Sequence, residues 1–375
     1  MTIGLSANAL RPADAGGQVD GIGTYTAALE HELQTLGIAT RRVYAPVLRS
    51  HGFAPVPRGE LGFAQPVPAA VLASNLLHFP MLGARQVEAA ITIYHATDYL
   101  VPPLRGTPIV ATLHDAIPHA NPQWATRRLR WLKNWIRRAG IAKADIVIAI
   151  SNAMVPEIEE HYGIPRARIR VVPLGVDKSF CETLPRERVD AVLDRYDLHR
   201  GYLFFVGTLQ PRKNVAGLLA AYDRLPPRIR AARQLVVAGR YGWGEKALAA
   251  ELRRRTLGGR CVWLEHVDNE ALRYLYAGAG AFVFPSLAEG FGLPVLEALG
   301  AGLPVVASDL PSLREVGASF VDYVRPLDTD ALTAAMELAL EVADEAAVGG
   351  RRAYARSFTW AATAAGTLKV YRELL

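Results

Sequence analysis

FPSLAEGFGLPVLEALGAGLPVVASD, residues 284–309, decides how the chain is read. An apolar run closes near Ser286, and Glu289-Gly290-Phe291-Gly292 form a turn. A helical pattern opens near Pro294, because proline suits the first helical turn, where a missing N–H costs nothing. A second β-rich run, PVVASD (304–309), follows it. Strand, glycine turn, helix and strand make one unit of a doubly wound sheet, whose carboxyl edge is where such folds bind ligands. Two glycines let the backbone approach a ligand, and amides at a helix start suit a phosphate. Glu289 and Glu297 stand eight apart, one in the turn and one on the helix. Carboxylates so placed can grip sugar or ribose hydroxyls. Spacing alone equally allows one cap-like glutamate and one solvated one.

The same alternation runs outward along the chain. Apolar runs occur at TIGLS, ITIYHA (91–96), PIVATLHD (108–115), DIVIAIS (145–151) and IRVVPLG (169–175), then at YLFFVG (202–207), QLVVAG (234–239), CVWLE (261–265) and AFVFPS (281–286). They are apolar on both faces, as parallel strands between helix layers are. The expected class is α/β, with two Rossmann-like doubly wound parallel-sheet domains. A chain of 375 residues has room for both. A charged helical stretch, KSFCETLPRERVDAVLDRYDLHRG, separates the two series, so the domains are expected at 1–178 and 200–356. A last helix fills 357–375, with Thr359 as a plausible N-cap. Residues 46–70, with five prolines and three glycines, read as a long surface loop.

Other residues with chemistry to offer fall at strand ends. Arg212 and Lys213 follow YLFFVG, where a basic pair can neutralise a diphosphate or simply be solvated. The glycine loop GGQVDGIGTY (16–25) precedes a helix opening at Thr24; by itself it is an ordinary tight turn. His114 and Asp115 end PIVATLHD, and HATDY (95–99) ends another run. Asp115 orients the histidine, binds acceptor or caps a turn. Asp328-Thr329-Asp330 resembles a metal-binding DxD triplet, but it precedes a helical pattern, and a carboxylate at a helix start needs no metal. It reads as a cap, and no metal is expected.

The net charge of +6 and pI near 9.3 suit an anionic partner. No nucleic-acid-binding motif is present, and the two cysteines, Cys181 and Cys261, suggest neither a disulfide framework nor a zinc site. The N-terminus has no basic region or long apolar stretch, so no signal peptide is expected, and no run reaches the roughly 20 apolar residues of a membrane span. The expected location is cytoplasmic, with peripheral contact at the inner face of the membrane. WATRRLRWLKNWIRRAG (124–140) carries six Lys/Arg, three tryptophans and no acid. It reads either as an interfacial helix on anionic lipid or as a helix packing Leu129, Leu132, Ile136 and Ala139 inward, and the two are compatible.

These motifs together resemble the large retaining glycosyltransferase family called family four, of GT-B fold. Glu289-GFGLPVL-Glu297 matches its E-x7-E element, with FPS before it and a G-x-P-V-V-A-S-D strand after it. FVGTLQPRKN (205–214), VVAGRYGWGE, ISNAMVPEI and VVPLGVD fall in the family's order. The resemblance implies a cleft between the domains and a last helix that returns to the N-terminal one. It implies that Arg212, Lys213, Thr208, Gly21 and Gly23 face the donor diphosphate, with the backbone of Gly290, Phe291, Gly292 and Leu293. It places Glu289 on the transferred sugar, Glu297 on the ribose and His114 beside the reacting carbon. Asp98, Tyr99 and Asp115 fall on the acceptor side. Many relatives have arginine directly after the strand glycine; here Thr208 follows Gly207, which shifts phosphate binding toward Arg212 and Lys213. The RKN turn and GIGTY loop look most like bacterial mannosyl- and rhamnosyltransferases of surface polysaccharide. The expected donor is therefore GDP-mannose, the alternatives are dTDP- or UDP-sugars, and the acceptor is a glycan or lipid-linked glycan. A sugar-nucleotide-binding protein without turnover is the reading from another class.

Overall fold

The computed structural model describes residues 1–11, 20–49, 52–116, 130–341 and 345–375. The chain divides into two compact units, one of 1–175 with 360–375 and one of 176–359.

Unit 1 holds a seven-stranded parallel sheet: β1 (Thr2–Ser6), β2 (Ala39–Tyr44), β3 (Leu61–Gly62), β4 (Ile93–Ala96), β5 (Ile109–Leu113), β6 (Ile146–Ala149) and β7 (Ile169–Val171). Their order is β3-β2-β1-β4-β5-β6-β7, so the winding reverses between β1 and β4. Ile3, Leu5, Val110 and Val147 are fully buried, which is why these strands show no polar alternation. The helix Gly21–Thr35 and the last helix, Trp360–Arg372, pack together in this unit.

Unit 2 holds a six-stranded parallel sheet of β8 (Tyr202–Val206), β9 (Leu235–Ala238), β10 (Cys261–Leu264), β11 (Ala279–Phe284), β12 (Val305–Ser308) and β13 (Asp322–Val324). The order β10-β9-β8-β11-β12-β13 reverses between β8 and β11. Phe204, Val236, Phe282 and Val306 form its buried interior.

Both sheets are of the doubly wound kind expected, with three strands added. β2 was hidden by its charged middle, Arg41-Arg42; β3 has only two residues; β13 opens on exposed Asp322. Residues 46–70 are not one long loop. They contain an antiparallel pair, Val47–Arg49 with Gly52–Ala54, then β3 and the start of the helix Val67–Leu76. Prolines 55 and 57 lie between these pieces, and Pro68 sits in the helix's first turn, so none interrupts a ladder. The helix expected from Thr24 begins at Gly21, because Asp20 accepts from the Gly23 amide at 3.0 Å and caps it there. Gly16 and Gly17 of that loop lie outside the described residues. Asp328 caps the helix Thr329–Glu341 through the Ala331 amide at 2.9 Å, and Asp330 pairs with Arg224 at 2.6 Å.

Candidate active site

The turns after β8 and β11 meet where the winding of unit 2 reverses. Pro211–Lys213 is a short 3-10 turn, ended by Asn214 in the left-handed region, whose side chain caps the next helix. The Arg212 carbonyl accepts from the Leu287 amide at 2.7 Å, which ties the two turns together.

Between them the expected basic pair and the first glutamate form one ionic cluster. Lys213 Nζ lies 2.6 Å from Glu289 Oε1, and Arg212 Nη1 lies 3.0 Å from Oε2. Arg212 also donates to the Ala288 carbonyl and to Gln210 Oε1. Lys213 Nζ sits 4.5 Å above the Phe284 ring. The side chains are only 8% (Lys213), 10% (Glu289) and 20% (Arg212) exposed, which rules out a solvated surface pair. Burial pushes the Glu289 carboxyl up, but Arg212 and Lys213 outweigh it and hold it at about 2. Two cations against one carboxylate leave a net positive charge, the sign a diphosphate needs.

Ser312 Oγ donates to the Glu289 carbonyl at 2.7 Å and braces the turn. Gly292 then opens the helix Leu293–Ala301 at φ 118°, a region that favours glycine, and a Cβ there would come within 2.6 Å of Leu313. Gly290 is buried beside it. Phe291 contributes backbone only, since its ring is buried against Phe358 at 6.4 Å. Thr208 is part-exposed in the turn after β8, next to Leu209, whose amide donates to Arg240. Glu297 lies on the helix, and its Oε2 accepts from the Tyr276 hydroxyl at 2.9 Å. Burial raises its carboxyl to about 7, the Tyr276 bond acting against this. Nothing in the sequence singles out Tyr276, one more apolar position on the helix Asn269–Gly278.

In unit 1, the ends of β4 and β5 bring together the remaining candidates. His114 Nε2 donates to the Thr97 carbonyl at 3.0 Å, which leaves Nδ1 as an acceptor in the neutral ring. Burial lowers its pKa, opposed by the Thr97 bond and by Asp115 and Asp20, so the ring is neutral near pH 7. Its ring meets Tyr25 edge-on at 4.9 Å. Asp98 accepts from the Leu100 amide at 2.9 Å, and burial raises its carboxyl to about 6. Tyr99 lies under the Arg137 guanidinium at 5.6 Å, and burial, then Asp115, raises its hydroxyl pKa well above the usual value. Asp115 Oδ1 is buried with no hydrogen-bond partner among the described residues. Gly21 and Gly23 belong to the first turn of the capped helix, Gly21 exposed and Gly23 buried.

Two family models match the chain: "Glycosyltransferase Family 4" over residues 19–180 and "Glycosyl transferases group 1" over 196–356. O-antigen chain mannosyltransferase B of Escherichia coli is 32% identical over 318 residues, covering 84% of this chain and 83% of that protein. Alpha-maltose-1-phosphate synthase of Mycolicibacterium smegmatis is 30% identical, covering 85% of this chain and 89% of that one. Among solved structures, sucrose-phosphate synthase from Thermosynechococcus elongatus matches with TM-score 0.74 at 21% identity, over 100% of this chain and 99% of that one. HepE of Anabaena in complex with UDP-glucose matches with TM-score 0.70 at 16% identity, over 99% of both chains. The fold is GT-B, and the chain belongs to the family-four glycosyltransferases.

Proposed function

We propose that this glycosyltransferase moves mannose from GDP-mannose to a glycan or lipid-linked glycan acceptor in surface-polysaccharide synthesis, with retention at the anomeric carbon and without a metal or other cofactor. The observation that carries the reading is the Arg212–Lys213–Glu289 cluster at the reversal point of unit 2. The mannosyltransferase relative supports the choice of sugar. The cations take the donor diphosphate, and the turn 290–293 offers it backbone amides. Glu289, held in place by both cations, accepts from hydroxyls of the transferred sugar. Glu297 accepts from the ribose. His114 Nδ1 takes a hydrogen bond from a sugar hydroxyl, and Asp98, Tyr99 and Asp115 face acceptor.

The transition state is oxocarbenium-like. The bond from the anomeric carbon to the diphosphate oxygen breaks, and the acceptor oxygen bonds to that carbon on the same face. The acceptor proton passes to the departing diphosphate oxygen. Charge grows on the diphosphate as the bond lengthens, so Arg212 and Lys213 bind the transition state more tightly than the ground state.

A thermal-shift panel of GDP-, UDP- and dTDP-sugars tests the donor, because a specific ligand raises stability by mass action. GDP-mannose is expected to give the largest shift, and a larger one with UDP- or dTDP-sugars replaces it. Transfer is expected to survive EDTA; loss on chelation restored by Mn²⁺ or Mg²⁺ overturns the cofactor-free reading. Binding without turnover of donor identifies a non-catalytic sugar-nucleotide binder instead.

The partner surface is an anionic membrane. Trp124 and Leu129 lie outside the described residues, which take up the segment as the helix Arg130–Ile141. Ile136 and Ile141 are buried while Trp131 is 72% and Trp135 38% exposed, so the helix packs one stripe inward and shows its tryptophans outward. It packs against the helix Val67–Leu76, whose end carries exposed Leu76, Leu77 and Phe79. Among the described residues no helix is long and apolar enough to cross a membrane. The protein is expected to float with anionic liposomes at low salt and release at high salt. Replacing Trp131 and Trp135 by serine reduces flotation with transfer to a soluble acceptor intact; unchanged flotation overturns the assignment.

A further inference from the structure

Thr363, Thr367 and Tyr371 stand four residues apart on the last helix of unit 1, and so share one face. All three are buried. Tyr371 ends a chain of hydrogen bonds through His95, Thr112 and Tyr25, which are also buried. Thr367 Oγ1 donates to the Thr363 carbonyl at 2.8 Å. The Tyr25 hydroxyl lies 2.9 Å from Thr112 Oγ1. Thr112 Oγ1 lies 2.8 Å from His95 Nε2, and His95 Nδ1 lies 2.6 Å from the Tyr371 hydroxyl.

The neutral His95 ring has one N–H and one bare nitrogen, so Tyr371 and Thr112 take opposite roles on it. The last helix thus holds one end of this chain and Tyr25 the other. The Tyr25 ring is what His114 rests on, edge-on at 4.9 Å and 74°. His114 also follows Thr112 by two residues, directly after β5, and its other anchor is the Thr97 carbonyl.

Resting on the reading of His114 given above, we propose that Tyr371 is a positioning residue for His114, acting through His95, Thr112 and the Tyr25 ring face. Apolar side chains alone would seat the helix; buried polar groups that are fully paired add a defined orientation.

Tyr371→Phe removes only the hydroxyl. Turnover is expected to fall about five- to tenfold with donor KM within about twofold. Imidazole nitrogen NMR should show the His95 and His114 signals moving. Thr112→Val breaks the chain at its middle and acts in the same direction, whereas Thr112→Ser keeps the hydroxyl and stays near wild type. If Tyr371→Phe does not fold, the Thr112 pair decides. Wild-type turnover and unmoved His114 signals in the chain-breaking variants overturn the proposal. His114→Asn separates the two readings. Full activity in that variant removes the role of His114, while the NMR shifts still report on the chain. Loss of activity there, with none in Tyr371→Phe or Thr112→Val, removes only the positioning role.

Discussion

Glu289→Gln should lose both turnover and stability, and the two losses should answer differently to ligand. The substitution keeps shape and removes charge. Lys213 and Arg212 are then left facing a neutral amide in a site where Lys213 is 8% exposed. Removing one partner of a buried ion pair costs about 3–5 kcal/mol. At about 2–4 °C per kcal/mol for a unit of this size, the melting temperature should fall by roughly 10 °C. A nucleoside diphosphate brings negative charge back to the cations, so GDP should raise the melting temperature more in the variant than in wild type. It cannot restore the sugar contact, and turnover should stay down by about 100-fold if some 2.7 kcal/mol of transition-state binding is lost. Glu297→Gln is the comparison. The ribose contact proposed for it is remote from the reacting carbon, so donor KM should rise with turnover nearly kept. Burial raises the Glu297 carboxyl from 4.5 to about 7, so the fold takes up a proton there and loses stability as pH rises through that interval. The variant has no such proton to lose and should melt higher than wild type at pH 8. A folded Glu289→Gln enzyme with normal turnover removes Glu289 from the mechanism.

Lys213→Ala should raise donor KM and lower turnover together, because the phosphate charge is present in the ground state and grows in the transition state. Each charge-assisted bond is worth about 1.5–3 kcal/mol, so kcat/KM should fall by roughly 10- to 100-fold. Lys213→Met keeps most of the stem over Phe284 and separates charge from packing. Both variants also weaken the hold on Glu289, whose carboxyl sits at about 2 through Arg212 and Lys213. A depressed carboxyl contributes stability above its unfolded pKa, lost as pH falls toward the folded one. With one cation gone the folded value rises, the window between 4.5 and about 2 narrows, and less of that contribution remains to be lost. The variants should therefore be less stable at neutral pH, with a shallower acid decline. Unchanged kinetics in Lys213→Ala and Arg212→Ala would falsify phosphate binding by the pair.

Strands were legible where both faces are buried. Phe204, Val236 and Phe282 lie in runs with no polar position, and each is fully buried. β2 was not, because Arg42 enters it to pair with Glu30 on the adjacent helix at 2.8 Å, so its pattern reads as loop. In the site, the residue types were readable and their pairing was not. Lys213 and Glu289 are separated by 76 positions, and only the reversal of strand order between β8 and β11 brings their turns together. The sequence assigned one to phosphate and the other to sugar; nothing local said that each holds the other in place. Phe291 lies within the turn proposed to face the donor, yet its ring belongs to the interior, a split that a motif cannot display. The chain of hydrogen bonds through His95 was equally hidden, since Tyr25, His95, Thr112 and Tyr371 come from four segments and are ordinary residues in each.

The chain enters unit 1, leaves it after Gly175 and comes back at Trp360, while everything in unit 2 is contiguous. Synthesis proceeds from the amino end, and domains generally fold as units as they emerge. Here the order of completion is inverted. Unit 2 has all its residues once Thr359 is made, but in the first 175 residues His95 still waits for Tyr371 of the final helix. During that wait all seven strands are present, and the helix Gly21–Thr35 lacks the last helix as its neighbour. The last helix therefore belongs to the amino-terminal unit, and a protease cut before it acts on the first domain translated, not on the last.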